Sequence, residues 1–249
     1  MTDLTRRGFH RETLSSLLTF SLLETLFHAD AFAAEIKPIT AKWLADLNQL
    51  GVDLRGAKMQ QVDWQAKVET LFDQVNLPDL MKFIDFEQLT KNLEFRDHGE
   101  KSLRPQFPEV EGLPTKLVFG HQVFALKKDR SVVPHGHDNM ATAFLILKGD
   151  FHGRHYDRLN DEDKHMILKP TIDKSFTVGG YSTISDYKDN VHWFQATSET
   201  GFIFNIHVLN VVEGRRSGRR YVDPAGEKLS GGRIRARKIG AAEAYKLYG

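Results

Sequence analysis

The stretch Pro134-His135-Gly136-His137-Asp138-Asn139-Met140 sets two histidines two residues apart, and His192 follows at a distance along the chain. In a β-strand, residues i and i+2 face the same way, so His135 and His137 aim two imidazoles at one point. A third imidazole from a distant strand completes a facial set and leaves part of a metal's coordination sphere open. That arrangement suits a metal that does chemistry better than one that only braces a fold. The chain has no Cys, which excludes a thiol nucleophile, a zinc ribbon and a disulfide framework. A metal site must then be built from His, Asp and Glu, and the 11 His are the evident supply.

Other side chains earn a place by position. Met140 and Trp193 flank the proposed ligands and either line a pocket or pack in the core. Arg154 carries the charge that would hold a substrate carboxylate. His152 and His155 stand three apart, which puts them on opposite faces of a strand and argues against both being ligands. His121 opens a strand region without a matching partner.

These residues need a rigid frame. The 249 residues are 41% hydrophobic and 27% charged, as in an ordinary globular chain, and the net charge of +1 makes no case for nucleic acid. From about Leu117 the pattern is one of short strands separated by turn signals: Gln122 to Leu126, Thr142 to Leu147, Phe151 to Tyr156, Phe176 to Val178, Val191 to Gln195 and Gly201 to Val211. Lys148-Gly149-Asp150 is a tight turn between two of them. Close strands without intervening helices point to an antiparallel barrel or jelly roll.

Ahead of the strands the pattern is helical. Thr40 is placed to cap a helix through Trp43, Leu44, Leu47 and Leu50 that ends at Gly51, and a second helix runs through Trp64, Val68, Leu71, Phe72 and Val75. Leu80, Met81 and Ile84 suggest a further turn or two. The expected organisation is one domain: a leader at 1–33, a helical segment at 34–105, the barrel at 106–222 and a basic tail at 223–249. Basic residues concentrated from Arg215 to Lys238 are expected to form a solvated, Gly-rich surface, since no stacking aromatics are interleaved as in a nucleic-acid interface.

Within the leader, Thr5-Arg6-Arg7-Gly8-Phe9-His10-Arg11 resembles the twin-arginine export motif. The apolar run Leu14 to Phe27, interrupted by Glu24, and the small-x-small sequence Ala31-Phe32-Ala33 follow it. An amphipathic N-terminal helix is the alternative. The resemblance implies contact with the twin-arginine machinery, export in the folded state, a mature start at Ala34 and a periplasmic location. No apolar run approaches the ~18 residues of a membrane span.

His135-x-His137, Thr142 and Gly149 fall at the spacing of the first motif of the cupin family, with Thr142 where that motif usually has Glu, and Asn190-Val191-His192-Trp193-Phe194 takes the place of the second. Together with Leu147-Lys148-Gly149-Asp150-Phe151-His152 and His155-Tyr156-Asp157, the His135 to Met140 stretch resembles the three-histidine thiol dioxygenases, nearest their cysteamine dioxygenase-like branch. The resemblance spans about residues 117–211. It implies an all-β cupin jelly-roll barrel with an N-terminal α-helical extension. It also implies one divalent metal on His135, His137 and His192, Fe(II) first with Mn, Ni and Zn as alternatives. The implied substrates are O2 and a small thiol, oxidised to its sulfinic acid. Three neutral imidazoles leave a divalent ion its full charge, which favours an anionic sulfur ligand.

The chain also departs from the animal-type cysteine dioxygenases, whose Ser-x-His-x-Tyr triad is here Asn205-Ile206-His207-Val208-Leu209. Only the histidine is kept. His207 reads either as a proton relay beside the metal or as a hydrogen-bonded barrel histidine. A cupin acting on a non-thiol substrate and a non-catalytic ligand-binding cupin are the rival readings.

Overall fold

The computed structural model describes residues 39–249, so the export-signal reading of residues 1–33 lies outside the described residues. Helix α1 covers 39–55 and buries Trp43, Leu44, Leu47 and Leu54 along one stripe. It runs on through Gly51, and Thr40 is itself helical. The expected stop at Gly51 fails because this glycine serves packing: a Cβ there would lie 2.8 Å from a Val118 methyl. Helix α2 (Gln61–Phe72) buries Trp64, Val68 and Phe72, and the Trp43 indole donates to the Leu71 carbonyl at 2.8 Å, locking the two helices together. Two short helices follow, α3 (Leu77–Phe83), capped by the Asn76 side chain, and α4 (Phe86–Thr90), capped by Asp85.

The remaining chain is mostly strand: β1 (Lys101–Leu103), β2 (Gly120–Lys127), β3 (Ser131–Asp138), β4 (Met140–Lys148), β5 (Phe151–Asp161), β6 (His165–Phe176), β7 (Tyr181–Ile184), β8 (Val191–Ala196), β9 (Thr200–Leu209), β10 (Gly218–Lys228) and β11 (Ile234–Ile239), before helix α5 (Ala241–Tyr248). A first sheet has the order β1-β2-β9-β4-β7, and a second closes on itself in the order β10-β11-β6-β5-β8-β3. Every pairing is antiparallel. This is the expected all-β jelly-roll barrel with an N-terminal helical extension.

Alternation along β4 and β9 explains how the layers hold together. Ala141, Ala143, Leu145, Phe204, Ile206 and Val208 turn one way and join Leu44, Trp64 and Leu80 of the helices in a continuous core. Phe144, Ile146 and Ile203 turn the other way and pack with Phe151, Phe176 and Phe194 of the second sheet. β4 is therefore buried on both faces, and its sequence Met-Ala-Thr-Ala-Phe-Leu-Ile-Leu lacks the polar alternation of a surface strand. Tyr156, Met166, Leu168, Val191, Val222 and Ala236 form a third apolar cluster on the opposite face of the second sheet's strands.

Two expectations are corrected. β6 reaches back to His165, well before Phe176, because its middle is exposed and carries Pro170, which hides the period of two. Pro170 sits at a register shift against His155 and Tyr156, where a missing ladder donor is tolerated. The basic segment is likewise no tail: residue 222 lies inside β10, and β11 pairs with both β10 and β6. Its cations alternate with buried Val222 and Ala236 and are met by acids, Arg235 by Glu162 at 2.8 Å and Arg237 by Glu243 at 2.7 Å. Pro224 and Gly226 within β10, and Gly231 and Gly232 in the turn after it, mask this hairpin in the sequence.

Candidate metal centre

β3 presents His135 and His137 on one face, and β8 lies beside it with His192 in register with His135. Residues directly opposite in an antiparallel pair share a face, so all three rings meet. Their ligand atoms lie within 4.8 Å of one another, and the three residues form a buried group that could hold one metal ion. Ring centroids are 4.9 Å apart for His135 and His137 and 4.2 Å for His135 and His192.

The ring nitrogens divide their roles. Nδ1 of His135 bonds the Val133 carbonyl at 2.8 Å, Nδ1 of His192 lies 3.5 Å from the Asn190 carbonyl, and Nδ1 of His137 meets Met140 Sδ at 2.6 Å. A proton on Nδ1 donated to a carbonyl leaves Nε2 with its lone pair. Nε2 of all three is buried with no hydrogen-bond partner. Three unpartnered acceptors pointing at one space are costly in a bare interior and are what a cation would satisfy. Burial holds each ring in its neutral form: His135 falls to about 3, lowered further by Arg219, and His137 and His192 fall well below the usual imidazole range. The donor set fits a divalent metal.

The surrounding residues hold the frame. Asn190 donates to the His137 carbonyl at 2.9 Å and to the Ser185 carbonyl at 2.9 Å, while its Oδ1 accepts from the His137 amide at 3.3 Å. This clamp needs Gly136 between the two histidines, where a Cβ would come within 2.7 Å of Asn190 Oδ1. Asp138 is bound by Arg158 at 2.8 Å and by Arg220 at 2.5 Å. Partial burial pushes its carboxyl up, but the two guanidinium bonds outweigh that and leave it below the usual range. Asn139, at a φ of 55°, donates to the carbonyls of Val212 and Arg215 and accepts from the Val212 amide, tying the 210–217 loop to the end of β3.

A cavity of about 280 Å³ opens over the three histidines between the two sheets. From β4 it is lined by Met140, Thr142 and Phe144, and from β9 by Asn205, His207 and Leu209, each set at a spacing of two. Thr142 is in register with His207, and its hydroxyl is buried without a partner. His207 is held down at about 4 by burial, Arg219 and His121. Ser217, Gly218 and Arg219 complete the wall at the start of β10, where Arg219 is in register with His137.

Of the side chains singled out in the sequence, His135, His137, His192, Met140 and His207 gather here, whereas Arg154 and Trp193 do not line this cavity. Those two are in register with each other, one residue out of phase with His155 and His192, so they occupy the opposite face. The Arg154 guanidinium lies 4.4 Å from the Trp193 ring centroid, and Trp193 packs on Tyr248 of α5. That explains both by packing. His155 is fully buried beside His192 with Ser182 Oγ at 3.1 Å, while His152 faces outward onto Asp173. His121 stacks on Phe107 and bonds the Pro105 carbonyl. Sequence reasoning missed Arg219, Asn205 and the clamp by Asn190. Nothing local separates Arg219 from Arg215, Arg216 and Arg220, and only its register against His137 sets it apart.

Fold and site together define a class: an antiparallel jelly-roll barrel with a buried three-histidine group. No protein-family model and no curated protein matches the chain. Among solved structures it is similar to an uncharacterized Klebsiella pneumoniae protein with a double-stranded β-helix domain, at 10% identity and a TM-score of 0.35, covering 53% of this chain and 87% of that one. It is also similar to procruciferin, an 11S globulin of Brassica napus, at 14% identity and a TM-score of 0.32, covering 42% of this chain. The match spans 23% of the globulin's length.

Proposed function

We propose that this protein is a metal-dependent cupin dioxygenase that joins O2 to a small thiol, RSH + O2 giving RSO2H. The observation that carries this reading is the set of three buried Nε2 atoms without partners, with no carboxylate among the cavity-lining residues. His135, His137 and His192 would hold one divalent ion, Fe(II) for this chemistry. Bound there, such an ion supplies Lewis acidity and open coordination positions for the two reactants. The protein's own share is positioning and exclusion of water. Phe124, Val132, Phe144 and Leu209 give the cavity apolar walls, and its small volume matches a substrate of a few heavy atoms. His207, neutral and on the cavity wall, would serve as a relay for the thiol proton. Absence of Cys rules out a Cys–Tyr crosslink beside the metal. The twin-arginine-like Thr5 to Arg11 stretch extends the proposal to a periplasmic enzyme exported folded.

The test is O2 uptake by the Fe(II)-loaded protein with a panel of small thiols, His135→Ala serving as control. Uptake that requires thiol and disappears in the control supports the reading. Tight metal binding without thiol-dependent uptake refutes it in favour of a non-thiol or non-catalytic cupin.

A further inference from the structure

We propose that the chain carries a second binding site: a groove between the end of α1 and the 210–217 loop, where Arg55, Arg215 and Arg216 hold a small phosphorylated ligand. No residue lines both this groove and the histidine cavity. The site goes beyond the metal-dependent reading and does not rest on it.

The groove encloses about 690 Å³, and tertiary folding assembles its charge. Arg55 is the last residue of α1, while Arg215 and Arg216 come from the connection between β9 and β10. None of the three guanidinium groups has an ion pair or hydrogen bond among the described residues. Arg220 and Arg237, also exposed, are by contrast held by Asp138 and Glu243. Glu213 is the one acid among the lining residues, and it pairs with none of the arginines. Three positive charges against one negative leave the groove at +2, more than the +1 of the whole chain. Like charges gathered without partners repel one another, and a bound anion relieves that repulsion.

The end of a helix disfavours an anion through its free carbonyls. Here the Gly56 and Lys58 amides cap those of Val52 and Asp53 at 2.8 and 2.9 Å. The loop is braced as well: the Asn210 amide donates to Ser217 Oγ at 2.7 Å, and the Ser217 amide to Asn210 Oδ1 at 3.2 Å. Asn139 donates to the Arg215 carbonyl at 2.7 Å. A fixed backbone limits what is lost in ordering the arginines on a ligand. A phosphate ester brings three acceptor oxygens and a charge of about −1.5 to −2, which suits several guanidinium forks better than one carboxylate does. Val52 and Val118 give the organic part of such a ligand an apolar surface to pack on.

The experiment is calorimetry on the full-length protein with glycerol 3-phosphate, inorganic phosphate and, as the uncharged control, glycerol. Saturable binding of glycerol 3-phosphate at one per chain is expected, with weaker binding of phosphate and none of glycerol. Arg55→Gln and the double variant Arg215→Gln, Arg216→Gln should each weaken it about tenfold or more, and Arg55→Lys should recover part of the loss. Arg233→Gln, which removes the same charge away from the groove, should leave the affinity within about twofold. His135→Ala should bind as the wild type does, which separates this site from phosphate held at the metal. Binding that never saturates, that survives both groove variants, or that disappears in His135→Ala overturns the proposal. Sedimentation with phosphatidic acid vesicles tests the other source of the same phosphate chemistry. Arginine-dependent binding to vesicles with no uptake of glycerol 3-phosphate overturns the small-ligand site in favour of a membrane surface.

Discussion

Each ligand histidine contributes one unsatisfied nitrogen, so removing one should be felt in the metal before it is felt in the fold. His192→Ala is expected to lower bound metal from one per chain toward zero, as measured by elemental analysis of folded protein, with the circular dichroism spectrum kept. One metal retained per chain would take His192 out of the ligand set. Asn190 tests the supporting layer. Asn190→Ala leaves the His137 amide and two carbonyls without partners, which should cost about 2–3 kcal/mol of stability in a urea titration and weaken metal binding about 10- to 100-fold. Unchanged metal affinity would show that the clamp does not orient His137. The His-x-His spacing and its facial geometry were legible in the residues themselves, because a period of two is a property of any strand. Arg154 and Trp193 misled for the same reason, since adjacency to a ligand in sequence means the opposite face in a strand.

At the scale of elements, the N-terminal helices are part of the barrel's support rather than an appendage. Leu44 and Trp64 are fully buried in one cluster with Leu145 and Phe204 of the first sheet, whose other face lines the cavity. Leu44→Ala should therefore destabilise the whole protein by about 2–5 kcal/mol, read as one shifted transition by far-ultraviolet and near-ultraviolet signals together. Two separated transitions would show that the helices fold independently of the site. Helix spacing was readable from Trp43, Leu44 and Leu47, but the helix end was not, because Gly51 is there for Val118 and not for chain termination. β6 was hidden because its exposed middle carries no alternation, and β11 because small Ala236 is its one fully buried residue and the glycines of the preceding turn read as loop. Only their partners, β5 and β10, define them.

For the molecule as a whole, burial of neutral imidazoles predicts acid sensitivity of the metal-free protein. His135 and His155 are depressed to about 3 and His207 to about 4 by burial first, so the unfolded chain takes up these protons near pH 6.5, before the folded one. Stability should be level above about pH 6.5 and fall as pH drops from there toward 4, the unfolded state binding more protons throughout that window. Urea midpoints measured across it check the sign, and a flat profile would mean that the rings are solvated. No helix among the described residues is long and apolar enough to cross a membrane.

What the sequence determined by itself was whatever depends on local geometry and composition: the histidine pair on one strand face, the absence of a cysteine nucleophile or disulfide, the helix-then-strand order and the barrel class. The tertiary structure alone decided which distant residues share a space. His192 reaches His135, Arg219 reaches His137 and Thr142 reaches His207 through strand register, which is set by pairing across the sheet. No local window of residues contains that information.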